Sequence, residues 1–306
     1  MKKDLLKMDD LSKEEILDIL NLADQLKYEQ KHDIEHHHLK GRSLGMIFEK
    51  ASTRTRVSFE VGMYQLGGNA LFLSDKDLQI GRGEPVEDTA RVLSRFLQGI
   101  MIRTFSQKEA ETLAKYSSIP IINGLTDQEH PCQVLADLMT IRENKNILEG
   151  LKVAFIGDGN NMANSLIIGC LKVGMNFAIA SPEKYSISEN YLSRAKEIAE
   201  SENVSLTVTT SPLEAVKNAD VVITDVWTSM GHEKETQDRI KAFQGFQVNN
   251  ELLKNANDDV MVLHCLPCHR NEEITGEVLE AHADEIFDES ENRLHAQKAD
   301  LVKLMK

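Results

Sequence analysis

Short apolar runs alternate along the chain with longer segments whose apolar residues recur at helical spacing. The short runs are rich in Val, Ile, Leu and Phe and are bounded by turn residues, as expected for strands. This alternation predicts an α/β fold in which helices cover both faces of parallel sheets. The predicted strands cover residues 43–48, 71–74, 99–104, 119–123, 152–156, 177–180, 205–209, 220–226 and 260–265.

The same pattern predicts two domains, each a mostly parallel sheet flanked by helices, with the active site in the crevice between them. The chain has 306 residues, which is enough for two ordinary domains. We place the boundary near Gly150, so that the domains cover residues 1–148 and 149–287. Residues 288–306 are expected to form a last helix that returns to the first domain. Pro85 and Pro131 are expected in the first turns of two helices, where proline is favoured.

Composition narrows the class of protein. A net charge of −14 argues against a nucleic-acid partner, because such partners usually require a basic face. No apolar run approaches the length of a membrane span, and the N-terminus lacks the apolar core of a signal peptide. We therefore expect a cytoplasmic protein without a membrane partner. The four cysteines fit a reducing compartment better than a disulfide scaffold; they are Cys132, Cys170, Cys265 and Cys268.

Polar residues suited to chemistry end the predicted strands or follow them. In open parallel sheets, ligands bind outside the carboxyl ends of the strands. Residues at these positions share one rim of their sheet, which favours a binding site there. They are Ser52–Arg56, Arg103, Asp127, His130, Gly157–Asn161, Asp225, His264 and Cys265.

The pentapeptide Ser52–Arg56 lies between a predicted strand and a predicted helix. Ser52 is expected to be the N-cap, and Gly67 and Gly68 are expected to end the helix. The first turn would offer backbone N–H groups, hydroxyls and two guanidinium groups to an anion such as phosphate. The alternative is an ordinary capped helix with solvated arginines, and the pentapeptide alone does not decide between the two.

His130 precedes a helix that Pro131 opens. Near a helix N-terminus, a histidine can donate a hydrogen bond to a carbonyl or phosphoryl oxygen, and the helix dipole favours its neutral form. The alternative is a capping histidine without a substrate.

The glycines of Gly157–Asn161 follow a predicted strand but do not indicate a dinucleotide site. Met162 occupies the third glycine position of that motif, and the strand that should end in a ribose-binding acid ends near Ser181. No phosphate-binding Gly-x-x-x-x-Gly-Lys-Ser/Thr motif is present in the sequence either.

The segment His264–Arg270 contains Cys-x-x-Cys, which raises the question of zinc. Four ligands within six residues, without a second pair elsewhere, give poor tetrahedral geometry. A strand end that presents a thiol and backbone carbonyls to a ligand is the better interpretation, with Pro267 ending the strand.

The segment Asp225–Gly231 begins at a strand end and holds the chain's single tryptophan, Trp227. Its aspartate could pair with a substrate ammonium group, while Ser229 and the Met230 N–H could bind another polar group. The alternative is a buried aromatic side chain beside a turn-capping aspartate.

Together these motifs resemble the aspartate/ornithine carbamoyltransferase superfamily. Ser52-Thr53-Arg54-Thr55-Arg56, followed by Ser58-Phe59-Glu60, is similar to its carbamoyl-phosphate loop, and His130-Pro131-x-Gln133 to its second signature. Two further segments resemble the ornithine branch in particular: His264-Cys265-Leu266-Pro267-x-His269-Arg270 and Asp225-x-Trp227-x-Ser229-Met230-Gly231. The matches run in the family's order from about residue 43 to residue 293.

The resemblance implies transfer of the carbamoyl group from carbamoyl phosphate to the δ-amine of L-ornithine, giving citrulline and phosphate. The implied carbamoyl-phosphate residues are Ser52, Thr53, Arg54, Thr55, Gln79, Arg103, His130, Gln133, Cys265, Leu266 and Arg293. The implied ornithine residues are Asn161, Asp225, Ser229 and Met230. Catalytic roles would fall to Arg103, His130, Asp225 and Cys265.

The resemblance also implies a trimer, or a multiple of trimers, in which Gln79 reaches a neighbouring subunit's site. It implies neither a metal nor an organic cofactor. The alternative acceptors are aspartate, putrescine and an acylated ornithine. The 225–231 loop lacks the cation that aspartate requires, which disfavours aspartate, whereas putrescine has no α-carboxylate and is not excluded by charge. A catalytically silent paralogue is the alternative from another class. The sequence leaves open whether the reaction serves arginine synthesis or breakdown.

Overall fold

The computed structural model describes residues 3–76, 78–229, 231 and 233–306. The chain divides into two compact units, one formed by Met1–Met139 with Glu291–Lys306 and the other by Thr140–Ser290. Each unit contains one parallel sheet with helices. The predicted α/β class, with a parallel sheet in each of two parts, is therefore confirmed.

The first unit contains a four-stranded parallel sheet in the order β2-β1-β3-β4. The strands are β1 Ser43–Phe48, β2 Asn69–Ser74, β3 Gly99–Arg103 and β4 Ile121–Leu125. Every residue of β3 is buried, as expected for a central strand covered on both faces. The apolar core of the first unit includes Ile47, Ile100, Ile102 and Ile121.

The strands of this sheet alternate along the chain with helices. These helices are α1 Lys13–Lys31, α2 Thr53–Gln65, α3 Val86–Leu93 and α4 Gln107–Tyr116. Helix α5, Pro131–Lys145, begins in the first unit and ends in the second. Short 3-10 turns cover Met8–Asp10 and Ile80–Arg82.

The second unit contains a five-stranded parallel sheet in the order β7-β6-β5-β8-β9. The strands are β5 Lys152–Ile156, β6 Asn176–Ala180, β7 Leu206–Thr209, β8 Val221–Thr224 and β9 Met261–His264. A hydrophobic cluster packs the sheet against helices and includes Ile156, Val222, Phe243 and Val262.

The helices of the second unit are α6 Asn161–Lys172, α7 Glu189–Glu202, α8 Pro212–Val216, α9 Thr236–Ala242, α10 Asn250–Leu253 and α11 Gly276–Ala281. Helix α12, Ala283–Met305, begins in this unit and ends in the first. Further 3-10 turns cover Glu183–Tyr185 and Glu233–Glu235.

Gly159 explains part of the glycine-rich turn after β5. A Cβ atom at this position would lie 2.5 Å from the backbone of Ser186 and Ile187. The Gly159 N–H also donates to the Tyr185 carbonyl at 2.8 Å. The glycine is therefore required for the close approach of these two backbone segments.

All nine predicted strands are present, with ends that differ by up to two residues. Two helix predictions need correction. Pro85 is the residue before α3, not part of its first turn. Helix α12 begins five residues before position 288, and its early residue Glu285 accepts the Val262 N–H at 2.9 Å. Within the residues that the structure describes, no helix combines the length and apolar character needed to cross a bilayer.

Candidate functional site

The start of α2 has the features of an anion site. Ser52 is its N-cap, as predicted, because the Ser52 hydroxyl accepts the Thr55 N–H at 3.2 Å. Thr53 is exposed and Arg54 is half-buried. The first turn of a helix leaves backbone N–H groups without intrahelical acceptors and carries the positive end of the helix dipole. This turn is therefore suited to bind a negatively charged group.

Two arginines from distant parts of the first unit meet at Thr55. The fully buried Thr55 hydroxyl accepts from Arg103 Nη1 at 3.2 Å and from Arg293 Nη2 at 3.3 Å. Arg103 is the last residue of β3, and Arg293 lies on α12. Arg293 also donates from Nη1 to Gln133 Oε1 at 2.6 Å. Four predicted carbamoyl-phosphate residues are thus connected through hydrogen bonds.

Asp137 fixes the orientation of Gln133. The Gln133 Nε2 donates to Asp137 Oδ1 at 2.8 Å, one turn along α5, and both side chains are buried. The amide oxygen of Gln133 is therefore left to face Arg293. The sequence placed Asp137 in the second signature, in Leu135-Ala136-Asp137, but assigned it no role, although its spacing of four residues from Gln133 places both side chains on one helix face.

His130 lies directly before α5 and is 5% exposed. Burial, together with Arg293, Arg103 and Arg54, lowers the pKa of His130 well below its usual 6.5. These surroundings favour the neutral imidazole, as predicted. The cause differs from the predicted one: burial and the three guanidinium groups lower the pKa, whereas the sequence indicated the helix dipole. A neutral imidazole can still donate one hydrogen bond to a polarised oxygen.

Arg56 lines a cavity beside Ser52 and Thr53, with a volume of about 500 Å³. Its Nε donates to Glu60 Oε1 at 3.0 Å, and its guanidinium lies 3.9 Å from the centre of the Phe72 ring. Residues four apart on a helix share one face, which explains the pairing. Of the two arginines of the pentapeptide, Arg56 is thus paired with Glu60, whereas Arg54 lies close enough to His130 to affect the pKa of its imidazole.

Lys50, which sequence reasoning missed, follows β1 and is 5% exposed. It forms an ion pair with Asp127, and its Nζ lies 4.3 Å from the centre of the Phe105 ring. Asp127, which the sequence placed at the rim, is thus paired with Lys50 from the same end of the sheet.

Asp225 and Cys265 meet in the second unit. The sequence predicted that Asp225 lies at the end of a strand over 220–226. In the structure, strand β8 ends at Thr224, so Asp225 is the first residue after the strand. Its Oδ1 accepts from Cys265 Sγ at 3.3 Å, and its Oδ2 accepts from Asn160 Nδ2 at 2.8 Å. A buried carboxylate and a thiol are thus held at the ends of neighbouring strands.

The sequence placed Asn160 at the rim of the sheet but assigned no role to it. Its side chain caps α6, where Oδ1 accepts from the N–H groups of Met162 and Ala163, and it also holds Asp225. The predicted Asn161 is the first residue of α6, and its Oδ1 accepts the Met162 N–H at 3.0 Å. The strong preference of asparagine for N-cap positions is the signal that could have identified Asn160.

Arg239 holds the loop after β8. Its Nη1 donates to the Trp227 carbonyl at 2.9 Å and to Asp158 Oδ2 at 2.6 Å. Trp227 is 6% exposed and stacks on Phe243 with ring centres 5.6 Å apart, so its ring is part of the core. Ser229 is half-buried in the same loop. The predicted ornithine residue Met230 lies outside the described residues.

His264 organises the segment that carries Cys265 and Leu266. Its Nδ1 accepts the Leu266 N–H at 2.9 Å, so the ring proton is on Nε2, which donates to Glu273 Oε1 at 3.0 Å. Leu266 adopts a left-handed backbone with φ of +53°, which is unusual for a branched residue. The hydrogen bond from its N–H to His264 supports this conformation.

The same side chains bear on the question of metal binding. Asp225, His264 and Cys265 offer ligand atoms within 4.8 Å of one another. Both ring nitrogens of His264 already form hydrogen bonds, so a metal at this histidine would have to displace one of them. Cys268 packs against the hydrophobic cluster of the second unit.

Gln79 is exposed directly before the Ile80–Arg82 turn. Its carbonyl accepts from the N–H groups of Arg82 and Glu84, which fixes the local backbone. Its role toward a neighbouring subunit stays a prediction.

The fold and these side chains define an α/β protein with an arginine-rich anion site in one unit and a carboxylate–thiol pair in the other. Comparison with protein families is more specific. Residues 3–143 match the carbamoyl-phosphate-binding domain of aspartate/ornithine carbamoyltransferase, and residues 149–304 match its Asp/Orn-binding domain. The chain belongs to the aspartate/ornithine carbamoyltransferase family.

Individual relatives match almost the whole chain. It is 54% identical over 303 residues to the ornithine carbamoyltransferase of Carboxydothermus hydrogenoformans, covering 99% of this chain and 97% of the relative. It is 54% identical to the Bacillus subtilis enzyme over 297 residues, covering 97% and 92%. The solved ornithine carbamoyltransferase from Pyrococcus furiosus superposes with a TM-score of 0.95 at 49% identity, covering 99% and 97%.

Proposed function

We propose that this protein transfers the carbamoyl group of carbamoyl phosphate to the δ-amine of L-ornithine, forming L-citrulline and phosphate. The observation that carries the proposal is the pair of buried arginines, Arg103 and Arg293, joined at Thr55 in the first turn of α2. Thr55 and Gln133, which accept these bonds, are neutral, so the bonds orient the guanidinium groups without placing a negative charge beside them. Such an arrangement is suited to a phosphate dianion.

In the proposed site, the phosphate is bound by the start of α2 through Ser52, Thr53, Arg54 and Thr55, with Arg293 beside them. Arg103, His130 and Gln133 surround the carbamoyl group, and Cys265 and Leu266 contact its other end. The second unit binds ornithine through Asn161, Asp225, Ser229 and Met230. We accordingly assign carbamoyl-phosphate binding to residues 1–148 with 288–306, and ornithine binding to residues 149–287.

The acceptor is proposed to be an amine because a carboxylate lies at the centre of the second site. Asp225 carries negative charge and is held by Asn160 and Cys265. A carboxylate there attracts an ammonium group and repels the second carboxylate of aspartate. L-Ornithine therefore fits this site better than aspartate does.

The chemistry requires a neutral amine, although free alkylamines are mostly protonated near pH 7. The δ-nitrogen attacks the carbamoyl carbon, the new C–N bond forms, and the C–O bond to phosphate breaks. Arg103 and neutral His130 stabilise the negative charge that develops on the carbamoyl oxygen. The amine proton passes to the departing phosphate or to the Asp225–Cys265 pair.

Comparing pH–rate profiles of wild type and Cys265→Ser distinguishes these two proton acceptors, since loss of one limb of the profile would assign the proton to the thiol.

The test is a carbamoyl-transfer assay with carbamoyl phosphate and a panel of amines. We expect citrulline and phosphate in equal amounts with ornithine, and much slower product formation with putrescine or aspartate. Faster ureido product from putrescine would assign a different acceptor. Calorimetry with carbamoyl phosphate tests the silent-paralogue alternative, which predicts no binding.

We further propose a homotrimer, or a multiple of trimers, with Gln79 contributing to a neighbouring subunit's site. The support is an exposed apolar surface formed by Val57, Val61 and Tyr64 on α2 and Leu71 and Phe72 on β2. Apolar surfaces of this kind mark protein–protein contacts.

A role in arginine metabolism follows from citrulline as product. Measuring the forward and reverse rates of carbamoyl transfer tests whether the reaction serves arginine synthesis or breakdown. The cytoplasmic location stays a prediction.

A further inference from the structure

Gln297 lies on α12 one turn after Arg293 and is fully buried. A guanidinium group only donates hydrogen bonds, so the amide oxygen of Gln297 must face Arg293. In this orientation Gln297 Oε1 accepts from Arg293 Nε at 2.9 Å and from Nη2 at 2.8 Å. Two bonds to one edge of the guanidinium group fix its plane as well as its position.

The other end of the same amide reaches helix α2. Gln297 Nε2 donates to the Ser58 hydroxyl at 2.6 Å, and that hydroxyl donates to the Arg54 carbonyl at 2.7 Å. Ser58 is 9% exposed, so this chain of hydrogen bonds is shielded from water. It connects the side chain of Arg293 to the backbone of Arg54 through two neutral groups.

We propose that Gln297 is a positioning residue for the phosphate end of carbamoyl phosphate. It fixes the Arg293 guanidinium directly and the first turn of α2 through Ser58, so both are in place before the ligand binds. Groups that are oriented in advance need no reorganisation on binding, which strengthens binding and charge stabilisation. Because Gln297 is neutral, it orients Arg293 without placing a negative charge beside the guanidinium group. This inference rests on the proposed function.

The first test replaces Gln297 with methionine, which has similar length but can neither accept from Arg293 nor donate to Ser58. We expect the Kd of carbamoyl phosphate, measured by calorimetry, to rise by about 10-fold, the size of one lost hydrogen bond to a charged group. The KM of carbamoyl phosphate should rise with it, while the KM of ornithine at saturating carbamoyl phosphate should change less than 2-fold. Inorganic phosphate is the second probe, and its binding should weaken in parallel.

Gln297→Glu separates positioning from simple support. A carboxylate can still accept from Arg293, so the thermal stability of Gln297→Glu should recover relative to Gln297→Met. Its negative charge lies beside Arg293 and repels phosphate, so carbamoyl-phosphate binding should remain weaker than in wild type. Recovery of wild-type affinity together with stability would leave Gln297 a merely structural role and overturn the inference.

Gln30→Met is the matched control. Gln30 accepts a weak hydrogen bond from Lys298, also on α12, at 3.4 Å. Its replacement removes a contact with the same helix but none with Arg293, so carbamoyl-phosphate affinity should stay at the wild-type value. If Gln297→Met fails to fold, Ser58→Ala interrupts the same connection from α2 and should produce the same selective rise in the KM of carbamoyl phosphate.

Wild-type carbamoyl-phosphate affinity in both Gln297→Met and Ser58→Ala would overturn the inference, as would equal increases in the KM values of both substrates. Failure of the proposed function is distinguishable, because the wild-type protein would then form no citrulline. An active wild type with unaffected variants would refute only the role of Gln297.

Discussion

At the scale of single residues, the arginine-rich site of the first unit runs against the charge of the whole chain. The net charge is −14, yet Arg54, Arg103 and Arg293 lie close enough to His130 to lower the pKa of its imidazole. Like charges that lie close together repel one another, and a negative charge bound among them reduces this repulsion. A phosphate dianion would act in this way, which is how the proposed site would favour an anionic substrate despite the repulsive overall field.

Replacing either Arg54 or Arg103 by alanine should reduce turnover by about 10²–10³-fold, the typical effect of removing one oriented donor to a developing charge. The fold should persist, because these side chains contribute to the site more than to the core. Steady-state rates and thermal unfolding measure the two effects separately. Arg194→Ala is the control, since Arg194 is an exposed residue of α7 paired with Glu197. A variant of Arg54 or Arg103 with a near-normal rate would remove that residue from the mechanism.

The sequence predicted site residues well where local geometry alone places them. Ser52 was identifiable as an N-cap, and Asp225 and Cys265 follow strands that end at one edge of a parallel sheet. Side chains that act through partners far along the chain were not predictable. Gln297 meets Ser58 across 239 positions, and no periodicity in the sequence encodes such a contact.

At the scale of elements, Arg239 anchors α9 to two loops of the second unit. It joins the Asp158 carboxylate after β5 to the Trp227 carbonyl after β8, and its guanidinium lies 4.6 Å from the centre of the Tyr185 ring. Asn161 follows the first of these loops and Ser229 lies in the second, and both are proposed ornithine residues. The position of α9 is therefore coupled to both parts of the proposed amine site.

Arg239→Leu should destabilise the protein by about 3–5 kcal/mol, because the buried Asp158 carboxylate would lose its counter-charge. The KM of ornithine should rise, while carbamoyl-phosphate binding, which belongs to the first unit, should stay near wild type. Urea unfolding and substrate titrations measure these effects. Lys241→Leu, at an exposed position of the same helix, provides the comparison. Equal weakening of both substrates in Arg239→Leu would contradict a role confined to the amine site.

Helix α12 makes stability depend on pH through His295. Burial, with Lys298 and Lys27 nearby, lowers the pKa of His295 to about 4, although Glu291 opposes the shift. The unfolded chain binds this proton near pH 6.5, so the contribution is complete above that pH and is lost as the pH falls toward 4.

Between pH 7 and pH 5, this one histidine should reduce the free energy of unfolding by roughly 2 kcal/mol. His295→Gln should therefore show a smaller decrease between the two pH values than wild type, whatever its stability at pH 7. Urea denaturation at both pH values measures the difference. His37→Gln, at an exposed histidine, should keep the wild-type dependence. An unchanged decrease in His295→Gln would show that other groups account for the acid sensitivity.

At the scale of the whole molecule, the sheets were the most predictable feature. Strands buried on both faces require continuous apolar runs, and all nine runs formed strands within two residues of their predicted ends. The exposed apolar surface of α2 and β2 was less predictable, because Val57, Val61 and Tyr64 have the spacing of a core-facing helix stripe. In the structure Tyr64 is 80% exposed. The proposed contact with a second copy of the chain would cover this stripe.

Tyr64→Glu should weaken the proposed assembly by placing a charge in an apolar interface. Sedimentation velocity at micromolar concentration should show smaller species than wild type, and activity should decrease with the loss of assembly. Tyr28→Glu changes another exposed tyrosine, on α1, and should leave the assembly intact. A wild-type protein that sediments as a monomer would refute the trimer itself.

If Gln79 completes a neighbour's site, two inactive variants should restore activity when they assemble together. Gln79→Ala retains Arg54, and Arg54→Ala retains Gln79, so a mixed oligomer contains some sites to which both native side chains contribute. Each variant alone should be slow, whereas co-expressed protein should regain a substantial fraction of wild-type activity. Co-expression of Arg54→Ala with Arg103→Ala is the control, because both residues lie in one unit and a shared-site arrangement cannot bring them together from different chains. Absence of recovery in mixed oligomers, with assembly verified by sedimentation, would place the action of Gln79 within its own subunit.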